Sequence, residues 1–297
     1  ISNVTNDVDG IDVGLTAGTY YLLVFNQTED EFGSMTFSGM QQYTEAAARA
    51  ARATLHGNST WDKGVDYYAD PEPIGVAVDT ITITDDMVEK GISFERYKKG
   101  MTTNHYYEGT TTYTFDEVAL PMTSKLNVTV HVKGIGNMRS VAGYITGMAD
   151  GFTLYSGLRL NTACVLPLDT WKGAYEDKAA NTGVITTSTA TFGLPYDKEV
   201  LDHRDPKDNR IVLYFTLVDG STRTYSYDVA RYIHYRNVDE TLPLRDRYAM
   251  SLELDLVLRA PLIDEPDLPD VTPDKQGDGF DAEVHPWEDG GTIDVGV

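Results

Sequence analysis

Apolar and polar residues alternate with a period of two at many places along this chain. Residues 125–133 (KLNVTVHVK) and residues 250–258 (MSLELDLVL) both carry an apolar residue at every second position. Successive side chains of a strand point to opposite faces, so this spacing is typical of strands with one buried and one solvated face. Sheets of such strands must bury their apolar faces against each other. The pattern therefore predicts an all-β protein built as β-sandwiches.

Two further segments give contrasting predictions. Residues 18–26 (GTYYLLVFN) form an apolar run and are predicted to be a strand buried on both faces, or nearly so. Residues 43–55 are instead rich in Ala and Arg, which are strong helix formers, and Thr44 is a fair N-cap. We expect a short helix or helical turn there. Residues 56–73 are rich in Gly, Asp, Tyr and Pro and are predicted to be a loop.

The chain is long enough for two ordinary domains, at 297 residues. The polar stretch 156–162 separates two groups of strands, which places a boundary near residue 158. We expect an N-terminal β-sandwich over residues 1–158 and a C-terminal β-sandwich over residues 159–297. The second ends in a Pro-rich tail, residues 263–297, that carries eleven acidic residues and one basic residue.

The charge and the cysteine content exclude some classes of partner. The formal net charge of -22 repels nucleic acids and anionic membrane surfaces. Strong acidity mainly favours solubility, although it would also attract cations or basic partner surfaces. The single cysteine, Cys164, cannot form an intrachain disulfide, and its apolar neighbours predict a small buried hydrophobe.

The sequence contains no convincing active site. None of the six histidines has metal-ligand spacing, and neither a G-x-S-x-G elbow nor a P-loop is present. His131 and His203 could each serve as an acid or base in principle, but each stands alone. We therefore predict no catalytic, cofactor-binding or metal-binding residues and no enzymatic activity. A β-sandwich hydrolase, the competing hypothesis, would need clustered carboxylates or histidines in a cleft.

Tyrosine is abundant, and three Tyr-Tyr pairs raise the question of sugar stacking. Neighbouring residues of a strand point to opposite faces, so such a pair cannot form one flat platform. The pair Tyr67 and Tyr68 lies in the predicted loop, close to Trp61. These three residues are the candidate glycan contacts.

Three blocks of the chain resemble the fimbrillin-like lipoproteins and adhesins of Bacteroides-type bacteria, a family that includes many domains of unknown function. The blocks are residues 18–33, residues 120–151, and residues 214–229 together with Gly279-Phe280 and Pro286-Trp287. The resemblance covers nearly the whole chain, rests on spacing and hydrophobic pattern, and includes no catalytic motif.

The resemblance implies two tandem transthyretin-like (Greek-key) β-sandwiches, export to the cell surface or outer membrane, and a role in adhesion or fimbriae. Family members are anchored by a lipid on an N-terminal cysteine, but Cys164 is internal and cannot carry it. Membrane contact is therefore expected only through a removed or missing anchor. The leading one or two strands of the family are also expected to be missing, which would leave unpaired edges in the first sandwich.

Open edges accept donated strands, so the expected partners are other fimbrial subunits or ligands on host or bacterial surfaces. The main hypothesis is a non-catalytic cell-surface adhesin or fimbrial (pilus) subunit that assembles by strand donation. The alternative is a surface glycan-binding lipoprotein module. Neither requires a cofactor.

Overall fold

The computed structural model describes residues 16–53, 65–86, 92–96, 111–115, 119–242, 248 and 251–274. Helical backbone in these ranges is limited to short 3-10 turns, to Asp85–Asp86 and to Tyr248. The described residues form these strands: β1 Gly18–Phe25, β2 Met35–Ser38, β3 Ala47–Ala50, β4 Arg52–Ala53, β5 Tyr67–Tyr68, β6 Gly75–Ile83, β7 Ile92–Arg96, β8 Thr111–Phe115, β9 Leu120–Pro121, β10 Ser124–Lys133, β11 Met138–Ala149, β12 Gly151–Thr153, β13 Ala163–Leu168, β14 Lys172–Asp177, β15 Thr182–Thr191, β16 Arg210–Leu217, β17 Thr222–Asp228, β18 Ile233–Tyr235 and β19 Glu253–Leu258. The predicted all-β class is confirmed.

The strands are arranged in two larger sheets and several smaller ones. The larger sheets have the orders β14-β15-β10-β19-β18 and β13-β11-β16-β17. Two three-stranded sheets have the orders β1-β6-β9 and β12-β3-β2, while β4 pairs with β5 and β7 with β8. Most pairs are antiparallel, and β10 runs parallel to β19.

The two larger sheets share one aliphatic core, which we call the large core. Alternate residues of β10 are buried, as the period-two pattern predicts, and Val128 of β10 is in register with Leu256 of β19. Ile145 of β11 and Leu213 of β16 belong to the same core and are fully buried. Facing sheets that bury one apolar face each account for this part of the fold.

A second cluster, the small core, lies among the shorter strands. It is built around Phe152 and Phe192 and includes several small residues of the segment 46–50. Tyr68 packs against both cores. The small core therefore depends on short elements that are distant from one another in sequence.

The helix predicted over residues 43–55 is wrong. Ala47–Ala50 form β3, which pairs with both β2 and β12, and Arg52–Ala53 form β4. Ala48 is fully buried, and a Cβ on Gly151 of β12 would lie 2.2 Å from the Ala48 carbonyl oxygen. Such close strand packing requires small residues, so tertiary contacts outweigh the helix propensity of alanine. Residues 54–55 lie outside the described part.

Two further predictions differ from the structure. Tyr67–Tyr68 were expected in a loop but form β5, which pairs with β4. The strand predicted over residues 18–26 is confirmed as β1, but it is not buried on both faces. Its apolar residues 22–25 are only half-buried and Tyr21 is 62% exposed, because in the described chain β1 has β6 as its one neighbour and lies at the edge of a small sheet.

The division into two tandem transthyretin-like sandwiches stays a prediction, as does the boundary near residue 158. The strand pairing constrains where such a boundary could lie. β10 and β11 precede residue 158, yet β10 pairs with β15 and β19, and β11 pairs with β13 and β16.

After β19 the chain turns at residues 260–262 and then crosses the large core. We call residues 261–274 the C-terminal strap. Leu268 is buried and its amide donates to the carbonyl of Lys133 at 2.9 Å. Two tyrosines of β17 donate their hydroxyls to strap carbonyls: Tyr225 to Asp267 at 2.5 Å and Tyr227 to Asp264 at 2.7 Å. The first part of the acidic tail is therefore docked.

Candidate functional site

The structure describes two of the three residues predicted to contact glycans. Trp61 lies outside the described residues. Tyr67 is buried, with 7% of its surface exposed, and its ring packs edge-on against Tyr144 at a centroid distance of 5.8 Å. Tyr68 is half-buried between the two cores. The proposed glycan contact of these residues stays a prediction, although the ring of Tyr67 offers little surface to a ligand.

Three other tyrosines converge at the surface, and we call them the tyrosine stack. The rings of Tyr21 and Tyr43 stack with a centroid distance of 4.9 Å and an interplanar angle of 22°. The ring of Tyr155 lies 5.6 Å from that of Tyr43, at 50°. The three residues come from β1, from the connection between β2 and β3, and from the turn after β12. Sequence reasoning missed this group because its members are far apart in the chain.

The backbone around the tyrosine stack is well tied. Gly39 begins the connection that carries Tyr43 with a φ of 66°, and a Cβ there would lie 2.2 Å from the carbonyl oxygen of Glu45. Only glycine fits such a left-handed, crowded position. The amide of Leu154 donates to the carbonyl of Ala46 at 2.8 Å, which joins the turn of Tyr155 to that of Tyr43. Tyr43 and Tyr155 are therefore held by connected turns.

The hydroxyl of Tyr43, in the middle of the tyrosine stack, stays neutral near physiological pH. Burial raises the pKa of the Tyr43 hydroxyl, and the neighbouring Tyr21, Tyr155 and Asp79 raise it further. A tyrosine whose pKa is raised from 10 stays protonated, so its hydroxyl can both donate and accept hydrogen bonds. Tyr43 thus combines apolar ring surface with an uncharged hydroxyl.

Two strand edges differ in how well they suit pairing with another strand. In the part of the chain that the structure describes, β1 pairs only with β6 and β14 pairs only with β15. All six residues of β14 are exposed, but they include Lys172, Glu176 and Asp177, and a register shift interrupts the strand. Charges and bulges hinder edge-to-edge association. β1 is eight residues long and uncharged, so it is the more receptive edge.

A cleft of about 370 Å³ lies where the segment 70–73 meets the beginning of β10 and the end of β15. It is lined by Asp70, Pro71, Pro73, Thr123, Ser124, Lys125, Ser188, Thr189, Ala190 and Leu252. Burial raises the pKa of the Asp70 carboxyl, a hydrogen bond with Thr189 lowers it, and the charge of Asp169 raises it. Hydroxyls, one carboxylate and one ammonium suit hydrogen bonding to a polar ligand.

A buried charged cluster ties the segment 193–209 to the large core. Glu199, Arg159 and Arg204 are all buried. Arg204 donates to the carbonyls of Ala230 at 3.0 Å and Ile233 at 2.6 Å. Burial raises the pKa of Glu199 to about 7, although the two guanidinium groups oppose the change. Because its cations are bonded to backbone carbonyls, this cluster stabilises the fold.

The structure does not bring His131, His203 and Cys164 together in one site. His131 Nδ1 lies 3.0 Å from Glu176 Oε2 on the five-stranded sheet, whereas His203 is exposed in a 3-10 turn. Cys164 is buried, as predicted, and burial raises the pKa of its thiol to about 12. The described residues contain no group of three or more His, Cys, Asp or Glu that could hold a metal ion. Within the same residues, no helix is long and apolar enough to cross a membrane.

Comparison with known proteins gives distant similarities. No protein-family model and no curated protein matches the chain. The structure is similar to a candidate adhesin from Bacteroides ovatus, with 14% identity, a TM-score of 0.47, and coverage of 87% of this chain and 78% of that one. It is also similar to a candidate polysaccharide-binding protein from Bacteroides thetaiotaomicron, with 14% identity, a TM-score of 0.41, and coverage of 82% of this chain and 70% of that one.

The fimbrial anchor protein Mfa2 from Porphyromonas gingivalis is also similar, with 10% identity, a TM-score of 0.42, and coverage of 82% of this chain and 68% of that one. These identities and TM-scores are too low to assign the chain to a family.

Proposed function

We propose that this chain is a non-catalytic cell-surface adhesin or fimbrial subunit that assembles by strand donation. It would be exported, and its partners would be other fimbrial subunits or ligands on host or bacterial surfaces. Two tandem transthyretin-like sandwiches and membrane attachment through an N-terminal lipid anchor belong to the same proposal.

The observation that carries the proposal is that β1 is an open, apolar edge strand among the described strands. This strand is apolar, uncharged and at the edge of its sheet among the described strands, and its side chains from Leu22 to Phe25 are only half-buried. An edge strand of this kind exposes a row of backbone donors and acceptors that another strand can pair with. Main-chain pairing would supply affinity, and the half-exposed side chains would select the partner strand.

The contrast between β1 and β14 supports the same function. β14 carries charges and a bulge that discourage pairing, whereas β1 lacks both protections. Natural soluble proteins protect exposed edges unless the edge is used. A receptive edge at β1 and a protected edge at β14 would favour the addition of subunits at β1 over random aggregation.

The alternative, a surface glycan-binding module, remains a second candidate. The observation that favours it is the exposed ring of Tyr21 within the tyrosine stack. An adhesin that binds a glycan would combine both functions, so the two candidates share the surface location and differ in the ligand.

Immunogold electron microscopy of cells that produce the chain tests the proposal. We expect label on surface filaments. Diffuse surface label would agree with a surface adhesin but would contradict assembly by strand donation. Label confined to the cell interior would contradict both. A Leu22→Lys variant places a charge on β1 and should reduce filament label, whereas Val257→Lys places a charge on an exposed position of β19 and should leave it unchanged.

A further inference from the structure

We propose that the tyrosine stack is a carbohydrate-binding platform for a neutral glycan, with Tyr21 as the residue that contacts the sugar ring. The inference deepens the proposed surface function, on which it rests, by naming the class of ligand. It also moves the expected glycan contact away from Trp61, Tyr67 and Tyr68.

The geometry of Tyr21 favours stacking with a sugar. One face of its ring is covered by Tyr43 at 4.9 Å, yet 62% of the residue stays exposed, so the outer side of the ring is accessible among the described residues. The apolar C–H face of a pyranose gains by leaving water for such a ring. Because Tyr43 supports the ring from behind and is itself packed against Tyr155, little side-chain freedom is lost on binding.

The surroundings suit the hydroxyl groups of a sugar. Gln41, Gln42 and Thr44 flank Tyr43 and are exposed, and Thr80 is exposed and directly opposite Tyr21 in the β1–β6 ladder. Amides and hydroxyls both donate and accept hydrogen bonds, which matches the mixed character of sugar hydroxyls. A few polar groups around an apolar surface are what ligand sites use to fix orientation.

Charge argues for a neutral ligand. The chain carries a net charge of -22, so a nucleic acid or an acidic polysaccharide would be repelled. A cationic peptide could stack on the same ring through a cation–π contact. Glu45 and Asp79 are acidic neighbours of Tyr43, but the other exposed residues beside it are uncharged amides and hydroxyls. These groups suit a neutral glycan, and a cation is the competing ligand in the test.

The test uses the purified full chain on an array of neutral oligosaccharides built from glucose, galactose, mannose and N-acetylglucosamine, with titration of the bound glycans by calorimetry. We expect binding by the wild type, a loss of about tenfold or more in affinity for Tyr21→Ala, and a smaller loss for Tyr43→Ala. Tyr21→Phe keeps the ring and should retain most of the affinity. Tyr175→Ala removes an exposed tyrosine of β14 and is the matched control.

Four results would overturn the inference. They are an array without any bound neutral glycan, equal affinity for wild type and Tyr21→Ala, equal losses for Tyr21→Ala and Tyr175→Ala, and binding only to cationic probes that salt abolishes. Surface labelling of cells without glycan binding would refute the platform and leave the proposed surface function intact. Glycan binding by a protein that stays inside the cell would do the reverse.

Discussion

The large core and the small core show two ways in which this chain forms sheets. In the large core, long strands bury alternate Leu, Ile and Val residues and leave polar residues outside. In the small core, short strands contribute alanines and a few aromatic rings, and β1 stays half-exposed at the rim. The first region obtains its stability from aliphatic burial within regular ladders. The second leaves surface available for contacts with other molecules.

The largest expected effect is the loss of a central aliphatic side chain from the large core. Ile145 is fully buried in β11, which pairs on both sides. We expect Ile145→Ala to lower the free energy of unfolding by about 2–5 kcal/mol, since a cavity adds to the lost hydrophobic transfer. Urea unfolding measures this.

The matched variant in the small core is Leu23→Ala. Leu23 is half-buried in β1, so its truncation should cost clearly less than that of Ile145. Equal losses in the two variants would contradict the distinction between the two cores.

The next effect is a pH dependence of the buried charged cluster, which ties the segment 193–209 to the large core. Glu199 has a pKa of about 7 in the folded chain, against an ordinary value of 4.5. Between these values the folded state binds more protons than the unfolded state, so the free energy of unfolding falls as the pH rises from about 4.5 to about 7. The difference corresponds to about 3 kcal/mol. Chemical denaturation at a series of pH values measures it.

The control for this pH dependence is a pair of glutamine variants. Glu199→Gln removes the titrating group and should flatten the fall in stability between pH 5 and pH 7. Glu45→Gln removes an exposed carboxyl and should leave the fall unchanged. If Glu199→Gln kept the full slope, a different group would be responsible.

In the small core, we expect side-chain volume to affect stability more than strand propensity does. Valine forms strands better than alanine. Ala48, however, is fully buried in β3 between β2 and β12, so Ala48→Val should destabilise the chain by about 1–3 kcal/mol through overpacking. Thermal unfolding followed by circular dichroism measures this.

The control is the same substitution on an exposed strand. Ala174 lies in β14, where every residue is exposed, so Ala174→Val should change stability by less than about 0.5 kcal/mol. A stabilising effect of Ala48→Val would mean that the small core has unfilled space around β3.

Sequence reasoning was sufficient where one local pattern determined the structure. The alternation in β10 and β19 predicts both the strands and their buried faces, because one large core covers them along their whole length. The same rules failed for residues 43–55. There the deciding contact is between Ala48 and Gly151, about one hundred positions apart, and local propensity carries no information about it.

The candidate site was harder to predict for the same reason. Tyr67 and Tyr68 are predicted as glycan contacts because they are neighbours in sequence, but Tyr67 is buried. Tyr21, Tyr43 and Tyr155 meet only because three separate elements converge. A pattern read along the chain detects faces of single elements, whereas a surface formed by several elements requires the fold.

The smallest effect concerns how the large core is closed by the C-terminal strap. Tyr227 donates its hydroxyl to the carbonyl of Asp264 at 2.7 Å, and Tyr225 makes the equivalent bond to Asp267. Replacing either tyrosine by phenylalanine removes the hydrogen bond and keeps the packing of the ring. We expect each such change to lower the free energy of unfolding by about 0.5–1.5 kcal/mol. We expect Tyr227→Phe to increase amide exchange in residues 262–268 and to leave exchange in β10 unchanged apart from its last residues, which pair with the strap. Faster exchange throughout β10 would show instead that the strap and the sheets unfold as one unit, and the large core would then extend to the end of the described chain.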